Sequence, residues 1–236
     1  PAAVCTDGIS TLTASVPSAV TEYPFTGSTG TYTPIVGTNM GASSIGDDVG
    51  VGNLPIGFTF NYNGVGETVF AASSNGFIEL GNTSATISGG SFNSLSTNAK
   101  RLAALWDDNN TTGGSMQYLT TGTAPNRVLT VQWTGMHVAG GGSSSNPTID
   151  MQIQLFENGD FQFNYGPVSA PLSSPTASIG YSAASGTFRS MTPASPASSS
   201  TSSTVTENTA ATAVDLPSGT IYTFTKQLPV HITWVP

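Results

Sequence analysis

Residues 151–166 read MQIQLFENGDFQFNYG. Apolar and polar residues alternate on both sides of Asn158-Gly159, and that dipeptide is able to take the positive φ angles of a tight turn. The stretch is therefore expected to be a β-hairpin with Ile153, Leu155, Phe161 and Phe163 directed to one side. The same punctuation recurs outward in both directions: short alternating runs stand between clusters of Gly, Asn, Asp, Pro and Ser, and helical periodicity is almost absent. Candidate strands lie at 8–16, 31–36, 56–64, 67–76, 77–81, 115–122, 127–138, 148–159, 160–166, 177–183 and 220–227. The pattern predicts an all-β protein, an antiparallel β-sandwich of jelly-roll-like form with little or no helix. A helical turn is considered only within 93–105, NSLSTNAKRLAAL.

The organisation expected is an N-terminal strand or extension over 1–22, a sandwich over 23–226, and a C-terminal strand over 227–236. Two segments interrupt the strand pattern. GGGSSSNPT at 140–148 reads as a flexible loop, and the Ser/Thr-rich stretch at 192–213 reads as a loop, a linker or a glycosylated stalk.

The chain has 236 residues, enough to bury a substantial core. Only 8% of them are charged, against roughly 25% in an average soluble domain. Ser, Thr, Gly and Asn carry the polarity instead, a surface suited to sugars, glycans or copies of itself. Five Lys plus Arg against thirteen Asp plus Glu give a net charge of −8, which argues against gripping a nucleic-acid backbone. No apolar run reaches the roughly 18 residues of a membrane-spanning helix. No signal peptide precedes Pro1, so a mature, processed and exported product is expected, in keeping with the sequons at Asn82 and Asn110. Cys5 is the sole cysteine, read as a small buried or terminal residue rather than an intermolecular bridge.

Few residues point to site chemistry. Trp106 and Trp133 suit the anchoring of a sheet-on-sheet core, with sugar stacking as the sharper alternative. Asp47-Asp48 and Asp107-Asp108-Asn109-Asn110 are the metal candidates, with Asp107, Asp108 and Asn109 the named ligands for Ca2+. Calcium seeks about six to eight oxygens, and a DDNN loop offers several; the alternative is a turn in which these side chains bond their own backbone. His137 and His231 stand without a nucleophile or ligand motif, and no catalytic signature is present. The expectation is a protein that is not an enzyme.

The ordered words VFAASSNGFIELG (69–81), RLAALWDDNN (101–110), RVLTVQWTGMHV (127–138), IDMQIQLFENGDFQFNYG (149–166) and ASIGYSAASG (177–186) resemble the nidogen-like extracellular β domains. More closely, they resemble a related module of surface and secreted proteins of Bacteroidota. The resemblance runs from Leu54 to about Ile221 and implies a non-enzymatic β-sandwich building block. The last residues, LPVHITWVP, are similar to the phrase that opens the C-terminal sorting domain of the Bacteroidota type IX secretion system.

In that segment Leu228, Val230, Ile232 and Trp234 share one face of a strand. Such a strand can close its own sandwich, or it can be donated to the open sheet edge of a neighbouring copy. Leu12, Ala14 and Val16 mark a rival donor. The leading expectation is a secreted structural protein at the cell surface, a homopolymeric filament or fibre subunit. The alternative is a monomeric adhesive module that binds glycans or a host or neighbouring cell surface.

Overall fold

The hairpin forms as its alternation requires. Thr148–Phe156 and Phe161–Val168 pair antiparallel, with Leu155 opposite Phe161 and Ile153 opposite Phe163, and all four side chains are buried. The turn departs from the expected pair of left-handed residues, because only Gly159 takes a positive φ, 98°. Its N–H donates to Phe156 O while the Phe156 N–H donates to Asp160 O, the arrangement of a short loop closed by a glycine bulge. Asn158 contributes through its side chain instead, accepting the Asp160 N–H at Oδ1, 2.9 Å away.

The computed structural model describes residues 23–88, 94–138, 143–172, 177–184, 186–207 and 216–227. Its strands are β1 (Phe25–Thr29), β2 (Thr38–Asn39), β3 (Gly50–Tyr62), β4 (Val65–Ser73), β5 (Phe77–Leu80), β6 (Arg101–Trp106) and β7 (Ser115–Thr121). They continue as β8 (Val128–His137), β9 (Thr148–Phe156), β10 (Phe161–Val168), β11 (Ser178–Ala184), β12 (Thr187–Thr192), β13 (Thr201–Ser203) and β14 (Thr220–Phe224). The helical elements among the described residues are two 3-10 turns, Ala42–Ser44 and Ala197–Ser199.

Two seven-stranded sheets result, ordered β1-β14-β10-β9-β8-β7-β2 and β13-β12-β11-β6-β5-β4-β3. The fold is thus the antiparallel all-β sandwich that the alternation implies. Strands β3 to β6 form a meander in the second sheet and β7 to β10 one in the first; the chain then adds β11 to β13 beside β6 and returns with β14 beside β10.

Facing side chains of the two sheets make one core, in which Trp133, Tyr165, Phe161, Phe163 and Phe224 are fully buried. Buried polar tips need partners, and here they tie the layers together. The Trp133 indole N–H donates to Ser73 O at 2.8 Å, and the Tyr165 hydroxyl donates to Ala104 O at 2.5 Å.

Three expectations are corrected. Residues 93–105 hold no helix among those described, since 101–106 is β6 and its run of buried residues is that of a strand covered on both faces. Residues 31–36 are not a strand; they run across the outer face of the first sheet, where glutamine side chains rather than a neighbouring strand meet their backbone. The Ser/Thr-rich stretch is structural up to residue 207. There β13 pairs with β12, Ala197 lies in the core, and the Ser200 hydroxyl bonds the Tyr222 hydroxyl at 2.9 Å. Small residues suit this position because the turn presses against β1, where a Cβ on Gly27 would fall 2.0 Å from Ala197 O.

The sequons separate as well. Asn110 is 6% exposed with its Oδ1 bonded to the Thr112 N–H, a geometry that closes it to glycan attachment in the folded protein, while Asn82 is half-buried. The two proposed donor segments, with Leu12, Ala14, Val16, Leu228, Val230, Ile232 and Trp234, lie outside the described residues, as do Cys5 and His231.

Candidate metal centre

Three turns meet at one end of the sandwich: the loop before β3, the Ser74-Asn75-Gly76 turn between β4 and β5, and the DDNN loop after β6. Gly76 makes the meeting close. It sits at φ 85°, and a Cβ there would lie 2.2 Å from Leu105 O. Asn75, fully buried, serves neighbours rather than its own turn: Nδ2 donates to Asp48 Oδ1 at 2.8 Å and Oδ1 accepts the Asn109 N–H at 3.0 Å. Thr111 completes the weld by donating its hydroxyl to Ser44 O at 2.8 Å.

This packing gathers Asp47, Asp48 and Asp108, whose carboxylate oxygens come within 4.8 Å of one another. Asp48 reaches the cluster from a left-handed backbone position, φ 52°. Among the described residues none of the three forms an ion pair with Lys or Arg. Loss of water holds the Asp108 carboxyl above the usual carboxylate range, reinforced by the charges of Asp47, Asp48 and Asp107. Asp47 is raised for the same two reasons, dehydration first and Asp48 second.

Of the three residues named from the sequence, Asp108 enters the cluster. Asp107 is buried and its Oδ1 accepts the Asp108 N–H at 2.9 Å. Asn109 is fully buried and donates Nδ2 to Leu105 O at 2.7 Å. Both acidic pairs stand out in the sequence, but their union depends on Asn75, which bonds Asp48 on one side and Asn109 on the other. Chemically, the arrangement offers three exposed or half-buried carboxylates, a part of the about six to eight oxygens that calcium takes. A divalent cation there would relieve the repulsion that adds to dehydration in raising Asp47 and Asp108.

The remaining candidates are placed by burial. Trp106 and Trp133 are 1% and 0% exposed, so both serve the core and neither presents a platform for sugar. His137 is pinned between loops: its backbone exchanges two hydrogen bonds with Asn110, and its Nδ1 lies 2.6 Å from Asn146 O. No helix among the described residues is long and apolar enough to cross a membrane.

A family model described as NIDO related matches residues 22–226. No curated protein and no solved structure matches the chain.

Proposed function

The chain belongs to the NIDO-related family, and from that premise we propose that it is a non-enzymatic extracellular structural module, a subunit of a cell-surface filament assembled by β-strand donation between copies. The observation that carries this reading is the contrast between sheet edges. At the β3 edge the pairing with β4 slips between Pro55 and Phe60, and the displaced carbonyls are already taken: Ile56 O by the Thr120 hydroxyl and Gly57 O by Arg127, each at 2.8 Å. Bulges, proline and side-chain caps of this kind block strand addition.

β1 is different. It is the outermost strand of the first sheet, it pairs with β14 on one side, and among the described residues no strand pairs on the other. An added strand there would gain main-chain hydrogen bonds, and apolar side chains at alternate positions would gain burial. Residues 228–236 have that alternation, and 8–16 have it as the rival. The proposal extends to a Bacteroidota surface protein exported by the type IX route, on the resemblance of the module and of the LPVHITWVP phrase.

Negative-stain microscopy of the purified protein tests assembly. Filaments are expected from the full chain, and they should disappear on removal of residues 228–236 and with Trp234→Asp, because a charge would then enter an apolar groove. Circular dichroism of both variants should retain the β signature. Persistent filaments in these variants and in one lacking residues 1–22, or a strictly monomeric full chain, would overturn the reading.

A further inference from the structure

On the outer face of the first sheet, residues 31–37 run across the strands as a strap, held by a ladder of glutamines. Gln152 Nε2 donates to Thr33 O at 2.9 Å, Gln132 Oε1 accepts the Ile35 N–H at 2.9 Å, and Gln117 Oε1 accepts the Gly37 N–H at 3.2 Å. Where the strap begins, Tyr32 packs against Gly166 of β10. Gly166 permits this, since a Cβ there would fall 2.8 Å from the tyrosine ring. Beside Tyr32 opens a cavity of about 390 Å³, within the range of about 300–1,000 Å³ typical of small-molecule sites.

The lining is chemically selective. Pro34 and Pro167 supply apolar walls, Thr31 and Ser218 supply hydroxyls, and Gly30 and Gly219 expose backbone. Among the described residues of the lining Asp150 is the sole charged one, so phosphate, sulfate and carboxylate ligands meet no cation from them. Its Oδ1 accepts the Gly135 N–H at 2.7 Å, which leaves the other oxygen to accept from a ligand. Among the described residues the Tyr32 hydroxyl oxygen has no well-formed hydrogen bond; it is enclosed beside Gln152 and closed to the cavity's contents.

We propose that this cavity binds one neutral sugar residue of a glycan, with its ring against Tyr32 and the prolines and its hydroxyls shared among Asp150, Thr31 and Ser218. A pyranose suits the lining because it combines an apolar C–H face with adjacent hydroxyls that both donate and accept. The inference goes beyond the assembly reading and does not rest on it, so a protein that fails to polymerise can still bind sugar.

The test is titration of the full chain with glucose, galactose, mannose, fucose and N-acetylglucosamine, followed by saturation-transfer NMR and calorimetry. At least one should bind with a Kd of about 1–10 mM, as expected of a single ring in a shallow site. Asp150→Asn keeps an acceptor for Gly135, and Tyr32→Ala removes the ring against which the sugar lies; each should weaken binding about tenfold or more. Absence of binding by all five sugars, affinity indifferent to both substitutions, or preference for methylamine or inorganic phosphate over every sugar would each overturn the proposal.

Discussion

Both sheets have an outer face that the sandwich core does not cover, and the chain covers the two in opposite ways. Over the second sheet, the long connection from β5 to β6 folds back so that Leu95 joins Phe77, Ala103, Trp106 and Phe188 in a separate apolar cluster. Arg101 caps it, its guanidinium 4.0 Å above the Phe77 ring and 4.6 Å from that of Trp106, paired with Glu79 at 2.8 Å. Burial pulls the Arg101 pKa down, and Glu79 opposes the shift. Over the first sheet the cover is the strap on its glutamines, with Gln132 and Gln152 3% and 2% exposed.

The difference teaches how forgiving each cover is. Apolar burial is non-directional and scales with area, so many arrangements of the same side chains serve. An amide ladder must match donors and acceptors one for one. It matches them along β7, β8 and β9, and at the β10 end it leaves Asn164 Oδ1 and the Tyr32 hydroxyl without a well-formed hydrogen bond among the described residues. The cavity opens beside that same tyrosine.

Trp106→Ala tests the apolar cover most severely. It should cost about 3–5 kcal/mol, because a large side chain leaves a void that its neighbours fill only in part. Thermal melting would show a large fall in Tm, and a loss under 1 kcal/mol would mean that the cluster contributes little.

Gln152→Ala tests the hydrogen-bonded cover and should cost less, about 1–3 kcal/mol, since Thr33 O and Gln132 Oε1 each lose a donor. Its sharper signature is local. Hydrogen exchange should accelerate at the Ile35 and Gly37 amides while those of β9 and β10 stay protected. Uniform acceleration would show that the strap is no independent unit.

The smallest effect belongs to the acidic end, where neither form of cover operates, and its sign is opposite. Because Asp47 and Asp108 are raised above 3.8 in the folded protein, the native state binds protons more readily than the unfolded chain. Their contribution to stability therefore falls as pH climbs from about 3.8 through the raised folded values, and the full penalty stands at neutral pH. Asp108→Asn should raise the Tm at pH 7 by about 1–3 °C, and the gain should vanish below about pH 3. An unchanged Tm at both values would show that the three carboxylates do not repel appreciably.

Legibility in the sequence followed the same division. Period-two alternation exposed β8, β9, β10 and β14, because each has one face on the core and one polar face, so the pattern and the physics coincide. β6 was missed because LAALW is buried on both sides and carries no alternation. β13 and the turn before it were missed because their burial depends on a fit between small residues and Gly27, which composition does not record. At the acidic end the ingredients were visible and the assembly was not: Asp47 and Asp108 are 61 positions apart, and the buried amide of Asn75 joins their loops.

The sequence by itself determined the class of this protein. Alternation with a period of two, few charges and glycine-rich turns admit little other than stacked antiparallel sheets, because the period decides which side chains share a face. Only the tertiary structure decided which faces are covered and by what. Tyr32, Pro34, Asp150 and Pro167 are unremarkable one at a time, and they form a cavity wall because a strap crosses several strands, which no local pattern along the chain records.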